Sequence, residues 1–429
     1  MKKDFELVSW AKNTNVYEVN TRQYTPEGNF SAFLQHIPRL KDMGVEVLWF
    51  MPITPISQKN RKGSLGSYYA CSSYREINPE FGDLDDFKNI VSLAHQLNMK
   101  VIIDWVANHT GCDHEWTKIH PEYYKLNHEG NFYDAHGWDD VIDLNYANPQ
   151  LRISMIEAMK YWIDECDIDG FRCDMAMLTP VDFWMQARQA LEPVKKLFWL
   201  AELDPLDNPD YMQVFDSAYT WRWMNGAKLF KEEGARHIDP LRGILSEYDH
   251  IPQNALAAWF TSNHDENSWN GTEYEKYAEM VPLLSVFSAT WKGLPLIYSG
   301  QELPNLKRLS FFDKDFIEWH EPVQLHDFYK RLLGLRKHHP CFIEKSGQLS
   351  FSQIRNSVEH HVLSYKRVVD DHCCLVMINF SHYDLNNVEF EADVPAAEYT
   401  EMFSSEKKYM DTKYQYVDLK GWGYKVWIN

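Results

Sequence analysis

The stretch DGFRCDMA, residues 169–176, reads as a buried strand that carries charge on one of its faces. Side chains alternate between the two faces of a strand, so Arg172 and Asp174 point one way while Phe171 and Cys173 point the other. A guanidinium and a carboxylate are costly to bury unless they are paired or have a chemical role. The stretch therefore predicts a strand that ends in a polar site.

Seven further short apolar runs resemble this one, and segments with helical periodicity separate them over the first three-quarters of the chain. The eight predicted strands are NVYEV (15–19), VEVLWFMPI (45–53), KVIIDWVAN (100–108), DGFRCD (169–174), KLFWLAE (196–202), VFDSAY (214–219), LAAWFTSN (256–263) and GLPLIYSG (293–300). Eight strands that alternate with helices predict an α/β fold, a (β/α)8 TIM barrel. A doubly wound open sheet is the alternative, but NTRQYTPEG after the first strand contains no GxGxxG turn.

Two helical segments show the apolar spacing of amphipathic helices in detail. In GDLDDFKNIVSLAHQLN the i, i+3, i+4 spacing predicts a helix with a cap at Asp83. In NFSAFLQHIPRLKDMG the same spacing is interrupted by Pro38, which predicts a kink or a late start.

The regular alternation lapses in two places. Residues 109–147 are polar, aromatic and turn-rich, which predicts an inserted domain after strand three, between barrel segments 1–108 and 148–342. After these segments the pattern changes to short alternating strands such as VLSYKRV, CCLVMINF and WGYKVWIN. This change predicts a C-terminal all-β domain of the sandwich kind over residues 343–429.

Composition and charge argue against several classes of partner. The chain has 429 residues and a formal net charge of −19, from 62 acidic and 43 basic side chains. This charge argues against nucleic acid and acidic membrane surfaces, and no apolar run is long enough to span a bilayer. The seven cysteines form no CxxC pair, and the start MKKDFELVSWAKN has no apolar signal region, so we expect a reduced, cytoplasmic protein.

Charged side chains follow four of the predicted strands. Strands three, four, five and seven end in His109, in Arg172 with Asp174, in Glu202, and in His264 with Asp265. Because the carboxyl ends of barrel strands meet at one mouth, these side chains are expected to converge there. One such residue alone is more typical of a turn, a cap or the surface. Several like charges at one mouth repel each other, however, so their presence together indicates a function that requires them.

Glycoside hydrolysis with retention of configuration requires such a set. One carboxylate attacks the anomeric carbon, and a second carboxyl with a raised pKa protonates the leaving oxygen. The two carboxyls are expected to lie about 5–5.5 Å apart in a retaining enzyme.

Four motifs stand in an order that resembles the α-amylase family of glycoside hydrolases, which are (β/α)8 enzymes acting on α-glucans. The motifs are DWVANH, DGFRCD, AELD and SNHDE, and the resemblance covers nearly the whole chain. It implies that Asp174 is the nucleophile, that Glu202 is the general acid/base and that Asp265 is a third carboxylate gripping sugar hydroxyls.

The same resemblance implies roles for the residues around these carboxylates. Arg172 is expected to keep Asp174 ionised and aimed, because a neighbouring cation lowers a carboxyl pKa. His109 and His264 are expected to hydrogen-bond the sugar that is cleaved. Tyr69 occupies the position of the family's stacking aromatic, with the adjacent Tyr68 as the alternative.

The chain departs from the family in the loop GSYYACSSYREINPEFG, residues 66–82. Many α-glucosidases of the family have an aspartate directly after the stacking tyrosine to hold a terminal glucose, whereas this chain has Ala70. A later aspartate of the loop is replaced by Ser73. The departures favour cleavage within a glucan, or release of more than one glucose.

The family's structural calcium has partial support in the sequence. Asn108 and Asp143 match positions that supply oxygen ligands between barrel and insertion, but calcium normally takes six to eight oxygens. Calcium is therefore an expected but incompletely specified cofactor. Cys112, His114, His120 and His128 fit no zinc spacing and are interpreted as structural.

Three functions remain open from the sequence. The first is a retaining hydrolase of α-1,4 bonds in maltooligosaccharides or starch. The second is a transglycosylase, or a cyclomaltodextrinase-like enzyme with the same site. The third is a non-catalytic glucan-binding homologue, which is disfavoured because the three carboxylates are present.

Overall fold

Eight parallel strands close into a barrel in this computed structural model, which describes residues 5–234, 236–252, 255–343 and 349–429. The barrel strands are Val16–Val19, Val47–Phe50, Lys100–Trp105, Gly170–Cys173, Phe198–Ala201, Ser217–Tyr219, Leu256–Trp259 and Leu294–Tyr298. The first strand pairs with the second and with the eighth, which closes the barrel. Each strand lies within one of the eight predicted runs, so the predicted TIM barrel is confirmed.

Helices separate the strands and cover the outside of the barrel. The α-helices of the described chain are Thr21–Tyr24, Phe30–Leu34, Ile37–Met43, Leu84–Gln96, Trp116–Ile119, Pro149–Cys166, Val181–Leu191, Trp221–Glu232, Asp239–Tyr248, Glu273–Tyr277, Val281–Thr290 and His326–His338. Short 3₁₀ turns lie at Ser9–Ala11, Pro121–Tyr123, Ala176–Leu178, Pro209–Gln213, Ala278–Met280 and Pro340–Phe342, and a π-helical turn at Glu266–Asn270.

Both helix signals in the sequence are confirmed. Asp83 caps the helix Leu84–Gln96 through a reciprocal capping box with Asp86. The segment around Pro38 forms two short helices, and Pro38 lies in the first turn of the second, where its missing N–H costs nothing.

The fourth barrel strand has close neighbours on both sides. A Cβ atom at Gly170 would lie 2.1 Å from the carbonyl oxygen of Phe198, so only glycine allows this approach of the fifth strand. On the other side, Asp104 of the third strand is in register with Arg172. The register places both charged side chains at the same level of the barrel.

The segment after the third strand leaves the barrel before the chain returns to it. Strands His109–Gly111 and Val141–Asp143 pair antiparallel at its base. The helix Pro149–Cys166 then begins after the cap Asn148, whose side chain accepts from two backbone amides of its first turn.

The C-terminal region is an all-β unit, as predicted. Its strands are Ser350–Gln353, Val362–Val369, His372–Asn379, Leu385–Glu391, Ala397–Glu401, Lys407–Met410, Tyr414–Leu419 and Tyr424–Ile428. Six of them form one antiparallel sheet and two form a separate pair. The sheet contacts the barrel through residues such as Tyr365, whose hydroxyl lies 2.5 Å from Thr290 Oγ1. No helix among the described residues has the length and apolar character that crossing a bilayer requires.

Candidate active site

A cavity of about 300 Å³ opens at the carboxyl ends of the barrel strands. It is lined by Lys62, Ser67, Tyr69, His109, Trp138, Asp140, Val141, Asp174, Met175, Glu202, Asp265, Trp269, Phe311 and Phe312. The lining thus contains the three carboxylates predicted to be catalytic, together with Tyr69 and His109. The other two predicted residues, Arg172 and His264, are buried behind this lining.

Arg172 is the centre of the charged cluster. Its side chain is fully buried, and Nη1 donates to Asp104 Oδ1 at 2.9 Å and to Asp174 Oδ1 at 3.2 Å. Its Nη2 atom lies 2.7 Å from Glu202 Oε2, an ion-pair contact without hydrogen-bond alignment. One guanidinium therefore contacts carboxylates from three neighbouring strands.

Burial and the crowding of carboxylates in this cluster raise the pKa values of two of them. Burial and the neighbouring Glu202 raise the pKa of Asp174 well above its usual value, although Arg172 acts in the opposite direction. Burial also raises the pKa of Asp104 to about 6, again against the attraction of Arg172. Buried carboxyls that share one cation hold a proton more readily than separate ones. Arg172 thus acts in the predicted direction, but it does not outweigh burial.

Asp265 lies in a different electrostatic environment from Asp174. His264 Nε2 lies 3.2 Å from Asp265 Oδ2, and His264 Nδ1 lies 2.5 Å from Glu18 Oε1. Burial alone would lower the pKa of His264, but the two flanking carboxylates raise it well above its usual value. Although burial opposes it, the charged His264 keeps the pKa of Asp265 below its usual value. The pair therefore presents an ionised carboxylate to the cavity.

Tyr69, rather than the adjacent Tyr68, faces the cavity. The Tyr69 hydroxyl donates to Asp104 Oδ2 at 3.1 Å and lies 2.7 Å from His264 Nε2. The Tyr68 hydroxyl instead donates to Asn20 Oδ1 at 3.1 Å, away from the lining. These contacts fix the Tyr69 ring beside the charged cluster.

His109 is a neutral group at the edge of the cavity. Burial lowers the pKa of His109 to about 4. Its ring packs edge-on against Trp138, with centroids 5.5 Å apart. A neutral imidazole can exchange hydrogen bonds with a sugar hydroxyl without adding charge.

The residues around Asn108 and Asp143 do not fit a calcium ion. Lys125 Nζ donates to Asp143 Oδ2 at 3.0 Å, so an ammonium group neutralises the buried carboxylate. Asn108 turns its amide nitrogen towards Asp143 Oδ1 at 3.5 Å, whereas calcium needs oxygen ligands. His109 Nδ1 also lies 3.3 Å from the Asn108 amide nitrogen, and among the described residues Asp143 belongs to no cluster of three His, Cys, Asp or Glu ligand atoms. The geometry thus disfavours calcium, and calcium binding itself stays a prediction.

Several residues in the cavity lining or directly behind it were not predicted from the sequence. The sequence did carry a signal for Glu18, because it is the only charged residue in the apolar run NVYEV. In the structure it contacts His264. Trp138, Trp269 and Phe311 had none, because aromatic residues in loops do not reveal which of them face a cavity. Lys62, which lies 2.9 Å from Asp140, also comes from a loop without periodicity.

The two departures from the family loop are buried beside the site. Ala70 and Ser73 are 2% and 5% exposed, and neither lines the cavity. The Ala70 carbonyl accepts from Ser57 N at 2.8 Å, which fixes the backbone that follows Tyr69. No carboxylate therefore projects from this loop position into the cavity.

Comparison with known proteins places the chain among glucan-active relatives. The chain is 24% identical over 395 residues to alpha-amylase MalA of Haloarcula japonica, and 25% identical over 390 residues to a cyclomaltodextrinase of Geobacillus thermopakistaniensis. The matches cover 88% and 83% of this chain but 57% and 62% of those relatives. The chain therefore spans about three-fifths of the length of these curated relatives.

A solved structure agrees over nearly the full length of both chains. The maltogenic alpha-amylase AmyB of Thermotoga neapolitana is 30% identical with a TM-score of 0.86, covering 97% of this chain and 98% of that one. The family model for the alpha-amylase catalytic domain matches residues 11–137 and 121–330. These matched residues make up most of the chain and include all four motifs. The chain therefore belongs to the α-amylase family of glycoside hydrolases.

Proposed function

We propose that this enzyme is a retaining hydrolase of α-1,4-glucans, acting on maltooligosaccharides or starch through a covalent glycosyl-enzyme intermediate. The observation that carries the proposal is the contact of Asp174 and Glu202 with one guanidinium, that of Arg172, at the base of a cavity. Two carboxyls that share one cation and line one cavity are close enough to act on a single glycosidic bond.

In the first step, the Asp174 carboxylate attacks the anomeric carbon while the Glu202 carboxyl donates its proton to the leaving oxygen. This assignment needs one ionised and one protonated carboxyl. An ionised Glu202 raises the pKa of Asp174, so a proton bound to Glu202 favours an ionised Asp174. Once Glu202 holds that proton, Arg172 pairs with an ionised Asp174, which leaves the nucleophile ready to attack.

In the second step, water replaces the departed sugar and Glu202, now ionised, accepts its proton. The resulting hydroxide equivalent attacks the anomeric carbon, and the bond to Asp174 breaks. Two inversions leave the product in the α configuration. The backbone amide of Met175 donates to Glu202 Oε2 at 3.0 Å and keeps this carboxyl in place between the two steps.

Asp265, Tyr69 and Trp269 supply the binding surface for the sugar ring. Asp265 is ionised and accepts hydrogen bonds from sugar hydroxyls. The faces of Tyr69 and Trp269 are apolar and flat, as the C–H face of a pyranose requires. Trp269 is 52% exposed, so its ring is available to a sugar.

A second candidate is preferential release of short products, or their transfer to another sugar. Lys62 lies 2.9 Å from both Asp139 and Asp140, and this bridge joins the loop after the second strand to the insertion at the cavity edge. A closed edge limits how much glucan extends in that direction. Two of the relatives carry the names maltogenic alpha-amylase and cyclomaltodextrinase, which agree with a short binding cleft.

Product analysis on two maltoheptaosides, one of them blocked at its non-reducing end, tests the proposal. We expect the enzyme to cut both substrates, and we expect the first-formed product to be the α-anomer by NMR. The matched control is Asp174→Asn, which keeps the shape of the side chain and removes the nucleophile.

The outcomes separate the candidates. Cleavage of the free-ended substrate alone would show that the enzyme works from chain ends and that Ala70 does not indicate internal cleavage. Products longer than the substrate would favour transfer. A β-anomer would overturn the double-displacement mechanism, and absence of cleavage of either substrate would favour a binding protein.

A further inference from the structure

Three exposed side chains that can bind metal meet where the barrel contacts the C-terminal domain. His237 and Asp239 lie at the start of the helix Asp239–Tyr248, and His360 lies in the turn before the strand Val362–Val369. One ligand atom of each lies within 4.8 Å of those of the other two. Across the described residues, no other set of three His, Cys, Asp or Glu side chains meets this condition.

The backbone holds the two segments together independently of these side chains. The amide of Ile238 donates to the carbonyl of His360 at 2.9 Å. Arg242 donates from Nη2 to the carbonyls of Glu359 at 3.2 Å and Val362 at 2.6 Å. The two halves of the cluster therefore have fixed main-chain positions, although they come from different domains.

The side chains of the cluster face each other between these two segments. His360 Nδ1 lies 2.8 Å from Asp239 Oδ2, and the rings of His237 and His360 have centroids 5.1 Å apart. The ring of His361 lies nearly parallel to that of His237, at 13° and 5.7 Å. Three imidazoles and one carboxylate are thus concentrated at one surface point.

We propose that His237, Asp239 and His360 form a binding site for a divalent transition metal of the zinc class. Imidazole nitrogen is a favoured ligand of Zn²⁺, Ni²⁺ and Cu²⁺, whereas Ca²⁺ and Mg²⁺ prefer sets of oxygen ligands. Two imidazoles and one carboxylate, with water in the fourth position, make a tetrahedral zinc site.

The required rearrangement is small. Ligand atoms about 2.1 Å from a tetrahedral zinc lie about 3.4 Å from each other. The present separations of up to 4.8 Å close by side-chain rotation. The side chains of His360 and Asp239 are 66% and 55% exposed, so no packed neighbour opposes that rotation.

The bound metal would join the barrel to the C-terminal domain by direct bonds. A metal that binds only the folded chain raises the melting temperature by mass action. None of the three ligands lines the active-site cavity, so kcat is expected to be independent of the metal. The inference does not depend on the proposed glucan activity.

Metal binding by the whole chain, after chelation and desalting, tests the proposal. We expect isothermal titration with Zn²⁺ to show about one equivalent per chain that Mg²⁺ does not reproduce. A hundredfold excess of Zn²⁺ over its Kd is expected to raise Tm by about 2–3 °C. The double variant His237→Ala/His360→Ala is expected to lose both effects while keeping the metal-free Tm, because both side chains are exposed.

The matched control is His128→Ala. His128 is an exposed histidine with one acidic neighbour, since its Nε2 atom lies 3.8 Å from Glu129 Oε1, but it belongs to no cluster of three ligands. The control is expected to bind zinc like the unmodified chain. Equal zinc binding by the double variant, or equal loss in His128→Ala, would overturn the site. Asp239→Asn gives an independent reading, because it removes only the carboxylate ligand and is expected to weaken binding.

Discussion

The fourth barrel strand, Gly170–Cys173, has an aspartate beyond each end, and the two carboxylates have opposite surroundings. Asp169, before the strand, lies within ion-pair distance of three basic side chains: His95 at 2.7 Å, Lys100 at 3.1 Å and Lys195 at 3.2 Å. Burial alone would raise the pKa of Asp169, but His95, Lys195 and the backbone amide of Val101 hold it below its usual value. Asp167 shares His95 and Lys195 with Asp169, so three basic side chains serve two carboxylates at this end.

Asp174, after the strand, has the reverse arrangement. It shares the single guanidinium of Arg172 with Asp104 and Glu202, and its pKa is raised. Two aspartates five positions apart therefore differ because of their neighbours, since both are buried. In barrels of this kind the amino ends of the strands serve stability and the carboxyl ends serve chemistry. At the two ends of this strand, the same division is visible in the numbers of acidic and basic side chains.

The largest expected effect comes from Asp174→Asn. The variant keeps the size of the side chain and removes the nucleophile, so kcat on maltoheptaose is expected to fall by about 10⁴–10⁶-fold. Tm is expected to stay level or rise, because one of several repelling carboxylates is gone. Initial rates and a thermal melt on the same sample measure both. A large fall in Tm would instead indicate that Asp174 supports the fold.

The second effect comes from Arg172→Lys. A lysine ammonium cannot contact Asp174 and Glu202 through two nitrogens, so kcat is expected to fall by about 10²–10³-fold. The lost contact raises the pKa of Asp174 further, so a higher pH is needed to ionise it. The acid limb of the kcat/KM profile is therefore expected to move to higher pH.

Arg172→Met is the companion variant that separates charge from shape. It removes the cation altogether, so its acid limb is expected to move further than that of Arg172→Lys. Circular dichroism on both variants establishes that they are folded. A loss of kcat with an unmoved acid limb would mean that Arg172 serves packing and does not position the nucleophile.

The third effect tests the other end of the strand through Asp169→Asn. Removing the charge takes from Lys100 and Lys195 the buried carboxylate that they share, although Lys195 keeps its pair with Asp167, and the change is expected to cost about 2 kcal/mol. For a chain of this length that corresponds to a Tm about 2 °C lower. Because Asp169 lies outside the cavity lining, kcat is expected to stay within about a factor of two.

The pH dependence gives this variant a second readout. The pKa of Asp169 is lowered in the folded chain, whereas in the unfolded chain it is about 3.9. Its contribution is therefore present above about pH 4 and is lost as the pH falls through the folded value. The Tm difference between the unmodified chain and Asp169→Asn is expected to shrink below about pH 4. A constant difference would assign the loss to packing instead of charge.

The barrel was predictable because its strands leave a strong local signal. The barrel strands are largely apolar runs of three to six residues, and such runs indicate burial on both faces. The cap at Asp83 and the break at Pro38 are equally local, since each depends on a few adjacent residues. Fold class therefore followed from patterns that need no knowledge of distant contacts.

The site was predictable only in part. Asp174, Glu202 and Asp265 follow strands, and the barrel topology brings strand ends together. The charge balance was not predictable, because it depends on how many carboxylates reach Arg172 across neighbouring strands. Asp104 shows this best: it was visible at the end of the third strand, but its contact with Arg172 follows from register.

The smallest expected effect concerns a third buried carboxylate, Asp143, which has a single cation as its partner. Lys125→Met removes that cation and keeps the apolar stem, leaving Asp143 without a counter-charge. Because Lys125 is 39% exposed and water screens the pair, the expected loss is about 1 kcal/mol, or about 1 °C in Tm. The control is Lys118→Met, at an exposed lysine of the same insertion that forms no ion pair with the described residues, and it is expected to leave Tm unchanged.

The same melts decide between the lysine and calcium at this junction. If Lys125 neutralises Asp143, millimolar Ca²⁺ does not raise the Tm of the unmodified chain, and EGTA does not lower it or reduce kcat. A rise in Tm with Ca²⁺ would mean that the ion displaces the Lys125 ammonium and that the family's metal is retained. Asp143 resembles Asp169 in having a basic side chain as its partner, so it belongs with the stabilising carboxylates and not with Asp174, for which positive charge is scarce.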